Sequence, residues 1–370
     1  MPKEHIISYS DAICEATVEA MRRDPSVIVI GEGVADPKAI FGTTEGLLAE
    51  FGPDRVIETP IAENGLTGIA IGAAMSGLRP ILIHQRVEFA LLSLEQILNN
   101  GAKTHYITQG KNKVPLVIRL IVGRGWGQGP MHSQSLESIF AHIPGLKIIV
   151  PSTAQDAKDM LGAAILDDNP VIMIEHRWIH YVTGNVCDNR KIESDPQIAL
   201  KLEEKYGPYV RRAGKDLTLA TYSYPILEAL QAADIAEKFG FEVEIVEMRT
   251  LRPCKMDALI NSVKKTGRLM TMDMGWVPYG VGAELVAEVT SQAFHAMKAP
   301  PVRLGLADHP TPSNYILAEN YYPNCNDILH AISQLLSVSD DILEEMRIYW
   351  QENRPKQPVD VPNPNFKGPF

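Results

Sequence analysis

The sequence predicts an α/β protein built from two parallel-sheet domains in series. Three observations carry this. Short apolar segments with strand character alternate with segments of helical periodicity along most of the chain. One polar stretch of mixed charge divides that alternation into two sets. The 370 residues also exceed the size, about 250 to 300 residues, at which a single core stops growing.

The first set opens with a helix after Ser8, where Ile13, Ala16, Thr17, Ala20 and Met21 keep one face and Ser8 with Asp11 forms a capping signal. Asp24-Pro25 turns the chain into "SVIVIGEG", the continuous apolar run of a buried parallel strand. A strand near Val56, a helix over 65–76, a strand over 81–84, a helix over 91–106 and a strand over 116–122 follow. A strand over 147–150, a helix over 153–166 and a strand over 171–175 complete the set. Parallel strands need helical crossovers, so this order implies a sheet covered on both faces. The second set reads as strand 217–222, helix 226–239, strand 242–246, helix 256–265, strand 268–273 and helix 283–295. A closing helix is predicted over 327–337, and a helical stub before "NRPKQPVDVPNPNFKGPF". The expected organisation is a first domain over 1–185, a linker over 186–214, a second domain over 215–340 and a proline-rich tail over 341–370 that is too polar to build a core.

Charge and motifs narrow the function. With 35 basic and 45 acidic residues the net charge is −10, and no basic cluster is present to neutralise a phosphate backbone, so nucleic acid is not an expected partner. No apolar run nears the roughly 20 residues of a membrane span. Cys14, Cys187, Cys254 and Cys325 are widely spaced and read as reduced thiols of a cytoplasmic protein. There is no HExxH, no zinc-spaced Cys/His set and no GxxxxGK[ST]. The glycines of "GRGWGQG" stand at 123, 125, 127 and 129, which is not the dinucleotide spacing GxGxxG.

Two residues stand out as candidate proton carriers. Glu63 follows a strand that ends near Thr59-Pro60, which sets it at the carboxyl edge of the sheet before a Gly- and Ala-rich helix. In such an apolar place desolvation raises a carboxyl pKa toward neutrality. An acid satisfying the amides of a helix N-terminus is the plainer reading. His132 lies just beyond the glycine-rich run, at a loop-to-helix junction with Ser133 as a possible cap. It is either a loop-bonding histidine or an imidazole placed for proton transfer near pH 7. Trp126 reads as a packing residue before a binding one. "HQRVEF", residues 84–89, ends a strand with polar groups and an aromatic, which suits a site wall or a satisfied sheet edge.

The segments "GEGVADPKAIFGTTEGL", "RVIETPIAENGLTGIAIGAAMSGLRP", "GQGPMHSQSLESIFAHIPGLKIIVPSTAQDAKDMLGAAILDDNP" and "VEMRTLRPCKMDALINSVKKTGRL" together resemble the β chains of thiamine-diphosphate-dependent 2-oxo acid dehydrogenases, from about residue 7 to 336 and in the same order. The resemblance implies a transketolase-like pyrimidine-binding domain followed by a transketolase C-terminal domain. It also implies a heterotetramer with an α subunit, the cofactor lying between the two. The α chain of that family holds Mg2+ and the diphosphate through a GDG motif, which this chain lacks. By resemblance Glu63 contacts N1′ of the aminopyrimidine and favours its imino form, Phe89 lies against that ring, and His132 faces the substrate and assists acyl transfer. "AAILDDNP" resembles the family's potassium loop, with Leu116, Ala164, Ile165, Asp167 and Asn169 at the ligand positions.

The expected activity is therefore decarboxylation of a small 2-oxo acid and transfer of the acyl group to the lipoyl domain of an acyltransferase partner. "HQRVEFALLSLEQ" departs from the family's usual wall, which motivates an alternative: a two-chain transketolase-like or acyloin-forming enzyme with another acceptor. A non-catalytic scaffold subunit is a third reading, against which the joint presence of Glu63, Phe89 and His132 weighs.

Overall fold

In the computed structural model, residues 4–36, 39–125, 127–187 and 202–354 are described. Trp126, most of the expected linker and the end of the proline-rich tail lie outside them. The strands are β1 (Glu4–Ser8), β2 (Val27–Gly31), β3 (Val56–Glu58), β4 (Arg79–His84), β5 (Val117–Val122), β6 (Lys147–Ile149), β7 (Val171–His176) and β8 (Thr183–Cys187). They continue as β9 (Tyr209–Arg212), β10 (Leu217–Thr221), β11 (Val243–Glu247), β12 (Thr250–Arg252), β13 (Leu269–Trp276) and β14 (Val302–Leu306). The larger sheet runs β12-β6-β7-β5-β4-β2-β3 and the smaller β14-β13-β10-β11-β9. Each is parallel apart from one antiparallel edge strand, β12 and β9 respectively. β1 and β8 form a separate antiparallel ribbon.

The central strands are buried at every position, as their unbroken apolar runs require when helices cover both faces. Helix α1 (Tyr9–Arg23) begins on the predicted capping box: Asp11 N donates to Ser8 Oγ at 3.1 Å and Ser8 N to Asp11 Oδ2 at 3.3 Å. Of the other helices of the first half, α2 is Leu47–Phe51, α3 is Glu63–Met75, α4 is Ala102–Ile107, α5 is Glu137–Ala141 and α6 is Ala154–Leu166. α6 starts on Thr153, whose side chain accepts from Asp156 N at 3.1 Å.

Several elements differ from the sequence expectation. The helix expected over 91–106 is broken into a 3-10 stretch (Val87–Ser93), a π-helical turn (Gln96–Gly101) and α4. Buried Val87, Ala90 and Ser93 show how the 3-10 stretch turns its own face inward. The expected linker contains β9, whose arginines are anchored by acids: Arg211 reaches Glu247, and Arg212 reaches Asp234 and Glu237. β12, from the second set, crosses over to extend the first sheet, with Thr250 opposite Ile149. Residues 340–353, where a helical stub is expected ahead of the proline-rich segment, form a full helix that buries Met346 and Trp350 in the core. The core is shared: single apolar clusters join first-half residues such as Leu120 and Phe140 to second-half residues such as Tyr222 and Val246.

Candidate active site

The carboxyl ends of β2 and β4 make one wall of a cleft and the start of α3 makes the other. Gly31, Glu32, Glu63, Leu66, His84, Gln85 and Phe89 line it. Gly31 is required by close approach, since a Cβ there would lie 2.6 Å from the Ile83 carbonyl oxygen of the neighbouring strand.

Glu63 is the first residue of α3 and only 7% exposed. The helix cap, Ala62, makes no side-chain cap bond, and no hydrogen bond to the Glu63 carboxylate is found among the described residues. Its oxygens are therefore not used as a helix-terminus acid. Glu32, whose Oε1 is buried without a partner, faces the same cleft, and its carboxyl is pushed above the ordinary range first by burial and then by the charges of Glu63 and Glu58. Glu58 is already spent on the loop amides, accepting from Gly33 N at 2.6 Å and Ala35 N at 2.8 Å.

Phe89 and His132 meet edge to face, with ring centroids 5.4 Å apart. His132 Nδ1 is buried with no hydrogen-bond partner among the described residues. Glu88 lies beside this pair: its Oε1 accepts from Gln134 N at 2.7 Å, burial raises its pKa, and His132 and Arg86 act on it as positive neighbours. His84 is buried, its Nε2 is unpartnered, and desolvation lowers it to about 4, so it is neutral near pH 7. The fold thus brings Glu63 and Phe89 to one cleft and seats His132 against Phe89. Ser133 does not cap the next helix, because the chain runs on as a loop until Leu136 precedes α5; its hydroxyl donates instead to Gln128 O at 3.0 Å. Glu32, Arg86, Glu88 and Gln128 were not singled out in the sequence, although "GEG" at a strand end and the charged pair within "HQRVEF" were the available signals.

Leu116, Ala164, Ile165, Asp167 and Asn169 lie together at the opposite, amino-terminal edge of the sheet, where α6 ends and β5 and β7 begin. Leu116 O accepts from Val171 N, Ala164 O from Asp167 N, and Ile165 O from Arg79 Nη1 at 3.0 Å. Asp167 accepts from Asn169 N and Nδ2 and, at 2.6 Å, from Lys147 Nζ. The donor set is oxygen throughout and each carbonyl keeps a second lone pair, so it fits a hard monovalent cation in kind. Arg79 and Lys147 already bring positive charge to the same oxygens. Among the described residues no three His, Cys, Asp or Glu side chains group as a metal site.

Fold and site together define a two-sheet α/β protein with a cleft at the carboxyl edge of its larger sheet. Comparison with known proteins agrees. The family described as "Transketolase, pyrimidine binding domain" matches residues 5–179, and "Transketolase, C-terminal domain" matches residues 206–328. The chain is 36% identical over 333 residues to the mitochondrial pyruvate dehydrogenase E1 component subunit beta of Rattus norvegicus, covering 90% of this chain and 91% of that one. It is 37% identical to the Saccharomyces cerevisiae counterpart, covering 89% and 88%, and 36% identical to that of Rickettsia bellii, covering 89% and 98%. A solved split-gene transketolase, described as an inactive β4 tetramer, superposes with a TM-score of 0.69 at 23% identity over 90% of this chain and 99% of its own. The chain belongs to the family of transketolase-like E1 β subunits of the 2-oxo acid dehydrogenases.

Proposed function

We propose that this chain is the β subunit of a two-chain thiamine-diphosphate-dependent enzyme that decarboxylates a small 2-oxo acid and passes the acyl group to a lipoyl domain. The observation that carries the reading is the buried Glu63 carboxylate, without a hydrogen-bond partner among the described residues, at the edge of a cleft that also holds Phe89 and adjoins His132. A carboxyl group and an aromatic face are what the polar edge and the flat face of an aminopyrimidine need. The bound cofactor supplies the nucleophilic carbon and the electron sink for loss of carbon dioxide. Glu63 then holds or releases a proton at the ring nitrogen N1′, and Phe89 packs against the ring. His132, with an uncommitted Nδ1, moves a proton to or from the substrate oxygen.

The diphosphate and Mg2+ are assigned to an α subunit in a heterotetramer, because the cleft here offers a pyrimidine half only. A potassium ion on the Asp167 loop belongs to the same proposal. Its place at the far edge of the sheet makes it structural, and its ligands would be the free lone pairs of Leu116, Ala164, Ile165, Asp167 and Asn169. No described helix is long and apolar enough to cross a membrane. A cytoplasmic location is proposed on the four free cysteines, whereas the rat and yeast relatives are mitochondrial by name.

The test is native mass spectrometry of the tagged chain from its own cells, followed by reductive acylation of a lipoyl domain by the recovered complex. Two α and two β chains carrying thiamine diphosphate, with acylation of the lipoyl group, is the expected result. A chain recovered without cofactor or second subunit would overturn the proposal. The polar wall of His84, Gln85 and Arg86 favours one second reading, transfer to a carbonyl acceptor, and carbon-carbon bond formation with added aldehydes would decide for it.

A further inference from the structure

Beside the cleft, two buried polar atoms with complementary needs lie in one place. Oε2 of Glu88 is a buried carboxylate oxygen, Nδ1 of His132 is a buried ring nitrogen, and neither has a hydrogen-bond partner among the described residues. An imidazole nitrogen can donate a proton, and an ionised carboxylate can only accept one. Groups of this kind are costly to bury unpaired, so their presence at a functional site calls for a reason.

The chain holds the two residues close. Glu88 and Phe89 are neighbours in the 3-10 stretch after β4, whose first residue, Val87, is fully buried and fixes the segment. The rings of Phe89 and His132 meet edge to face, 5.4 Å between centroids. Oε1 of Glu88 accepts from Gln134 N at 2.7 Å, two residues beyond His132, so the same side chain ties down the loop that carries the histidine. Arg86 is the neighbouring cation, but its guanidinium donates to Gly123 O at 2.6 Å and to Gln128 Oε1, and it makes no bond to Glu88 among the described residues. Burial raises the Glu88 carboxyl above its ordinary range, while the Gln134 amide, Arg86 and His132 act in the opposite direction.

We propose that Glu88 is the positioning carboxylate of His132: its free oxygen takes the hydrogen bond of Nδ1–H, fixes that tautomer and leaves Nε2 as the nitrogen that exchanges a proton with the substrate. This rests on the role given to His132 in the 2-oxo acid reading and names the residue that supports it. When Nε2 takes a proton from a substrate oxygen the ring carries N–H at both nitrogens, and the carboxylate beside Nδ1 stabilises the positive charge. When Nε2 returns the proton the ring is again the neutral Nδ1–H form. The proton moves only between Nε2 and the substrate, and Glu88 gains none. Glu88 and His132 do not bond in the structure, and hydrogen bonds of this kind commonly tighten only in the working complex.

The test uses the α-β complex loaded with thiamine diphosphate and Mg2+, as wild type, Glu88→Gln, His132→Ala and the double variant. Glutamine keeps the length of the side chain and an oxygen for Gln134 N, and it removes the charge. Turnover is measured with the fastest of pyruvate, 2-oxobutyrate and 3-methyl-2-oxobutanoate. Glu88→Gln should lower kcat at least about tenfold, leave KM and cofactor binding within about twofold, and have no further effect once His132 is alanine. An unchanged kcat, or an equal loss with and without His132, overturns the pairing and leaves the 2-oxo acid reading standing. A second measurement needs no turnover. Nitrogen-15 spectra of the histidine-labelled complex at about pH 8, with the His132 signal assigned by its absence from His132→Ala, show which ring nitrogen carries the proton. Nδ1 in the wild type and Nε2 in Glu88→Gln, whose amide N–H then faces Nδ1, is the expected result; Nε2 in the wild type overturns the pairing. If no 2-oxo acid is turned over, that reading fails on its own and the spectra decide the pairing. Should Glu88→Gln not assemble, the wild-type spectrum decides in the same way: a proton on Nδ1 supports the pairing and one on Nε2 overturns it.

Discussion

Replacing Glu137 by glutamine should change how stability depends on pH in a way that reports the contact between the two halves of the chain. Glu137 opens α5, directly after the loop that carries His132, and it is 4% exposed. Asp273 of β13 faces it from the second half, its oxygens held by Gly275 N at 2.8 Å and Gly282 N at 3.0 Å. Burial, with the Asp273 charge as a smaller contribution of the same sign, raises Glu137 from an ordinary 4.5 to about 8. Burial likewise raises Asp273 from 3.8 to about 6. A raised folded-state pKa means that the contribution to stability is fully present below about pH 4.5 and is lost as pH rises through about 8. At about 1.4 kcal/mol per pH unit, Glu137 accounts for a loss on the order of 5 kcal/mol across that window. Glutamine has the shape of the neutral acid and does not ionise. Urea denaturation at pH 5 should therefore find wild type and Glu137→Gln within about 1 kcal/mol of each other, and at pH 8.5 the variant should be more stable by several kcal/mol. The fall due to Asp273, between about pH 4 and 6, should persist in both proteins. Parallel pH curves for the two proteins would refute the argument, because they would show that Glu137 does not change its proton affinity on folding.

Three further outcomes are expected. Glu63→Gln should assemble with the α subunit and lose about 10²- to 10⁴-fold in decarboxylation kcat, the usual worth of a positioned acid-base group, read by steady-state kinetics. Unchanged turnover would return Glu63 to a structural role and revive the scaffold reading. Glu175→Gln should destabilise the chain by about 3 to 5 kcal/mol in denaturant titrations, because it leaves fully buried Arg119 without the carboxylate it now holds at 2.5 and 2.9 Å. Glu175 is held down to about 2 against the raising effect of burial, chiefly by Arg119, so its contribution is present above about pH 4.5 and lost as pH falls toward 2, and the variant should lack that part of the acid limb. Exchanging potassium for lithium should lower the thermal midpoint of the wild type and not that of Asp167→Ala; equal shifts in both proteins would remove the ion from the loop.

Much of the fold was legible in the sequence because its signals are local. The capping box at Ser8 and Asp11, the run Val27–Gly31 and the helix over 154–166 each declare themselves within a dozen residues, and parallel pairing follows from their alternation. The edge strands were not legible. β12 has three residues, and its partner β6 lies about a hundred residues earlier, so nothing near Thr250 says that it will extend the first sheet. The helix over 340–353 was legible only as a stub before the prolines, and not as part of the core, since Met346 and Trp350 gain a partner only once the rest of the core exists.

The same division runs through the site. By itself the sequence determined that an acid would stand at a strand-to-helix junction before an apolar helix, that a histidine would follow a glycine-rich loop, and that both belong to a family with a shared cofactor, because residue type and order are local facts. Only the tertiary structure decided that Phe89 and His132 touch, that Glu32 shares the cleft with Glu63, and that Glu88 holds the Gln134 amide beside His132. Those pairs lie tens of residues or more apart in the chain, and they meet because parallel strands bring all their carboxyl ends to one edge, where burial and neighbouring charge then set what each group can do.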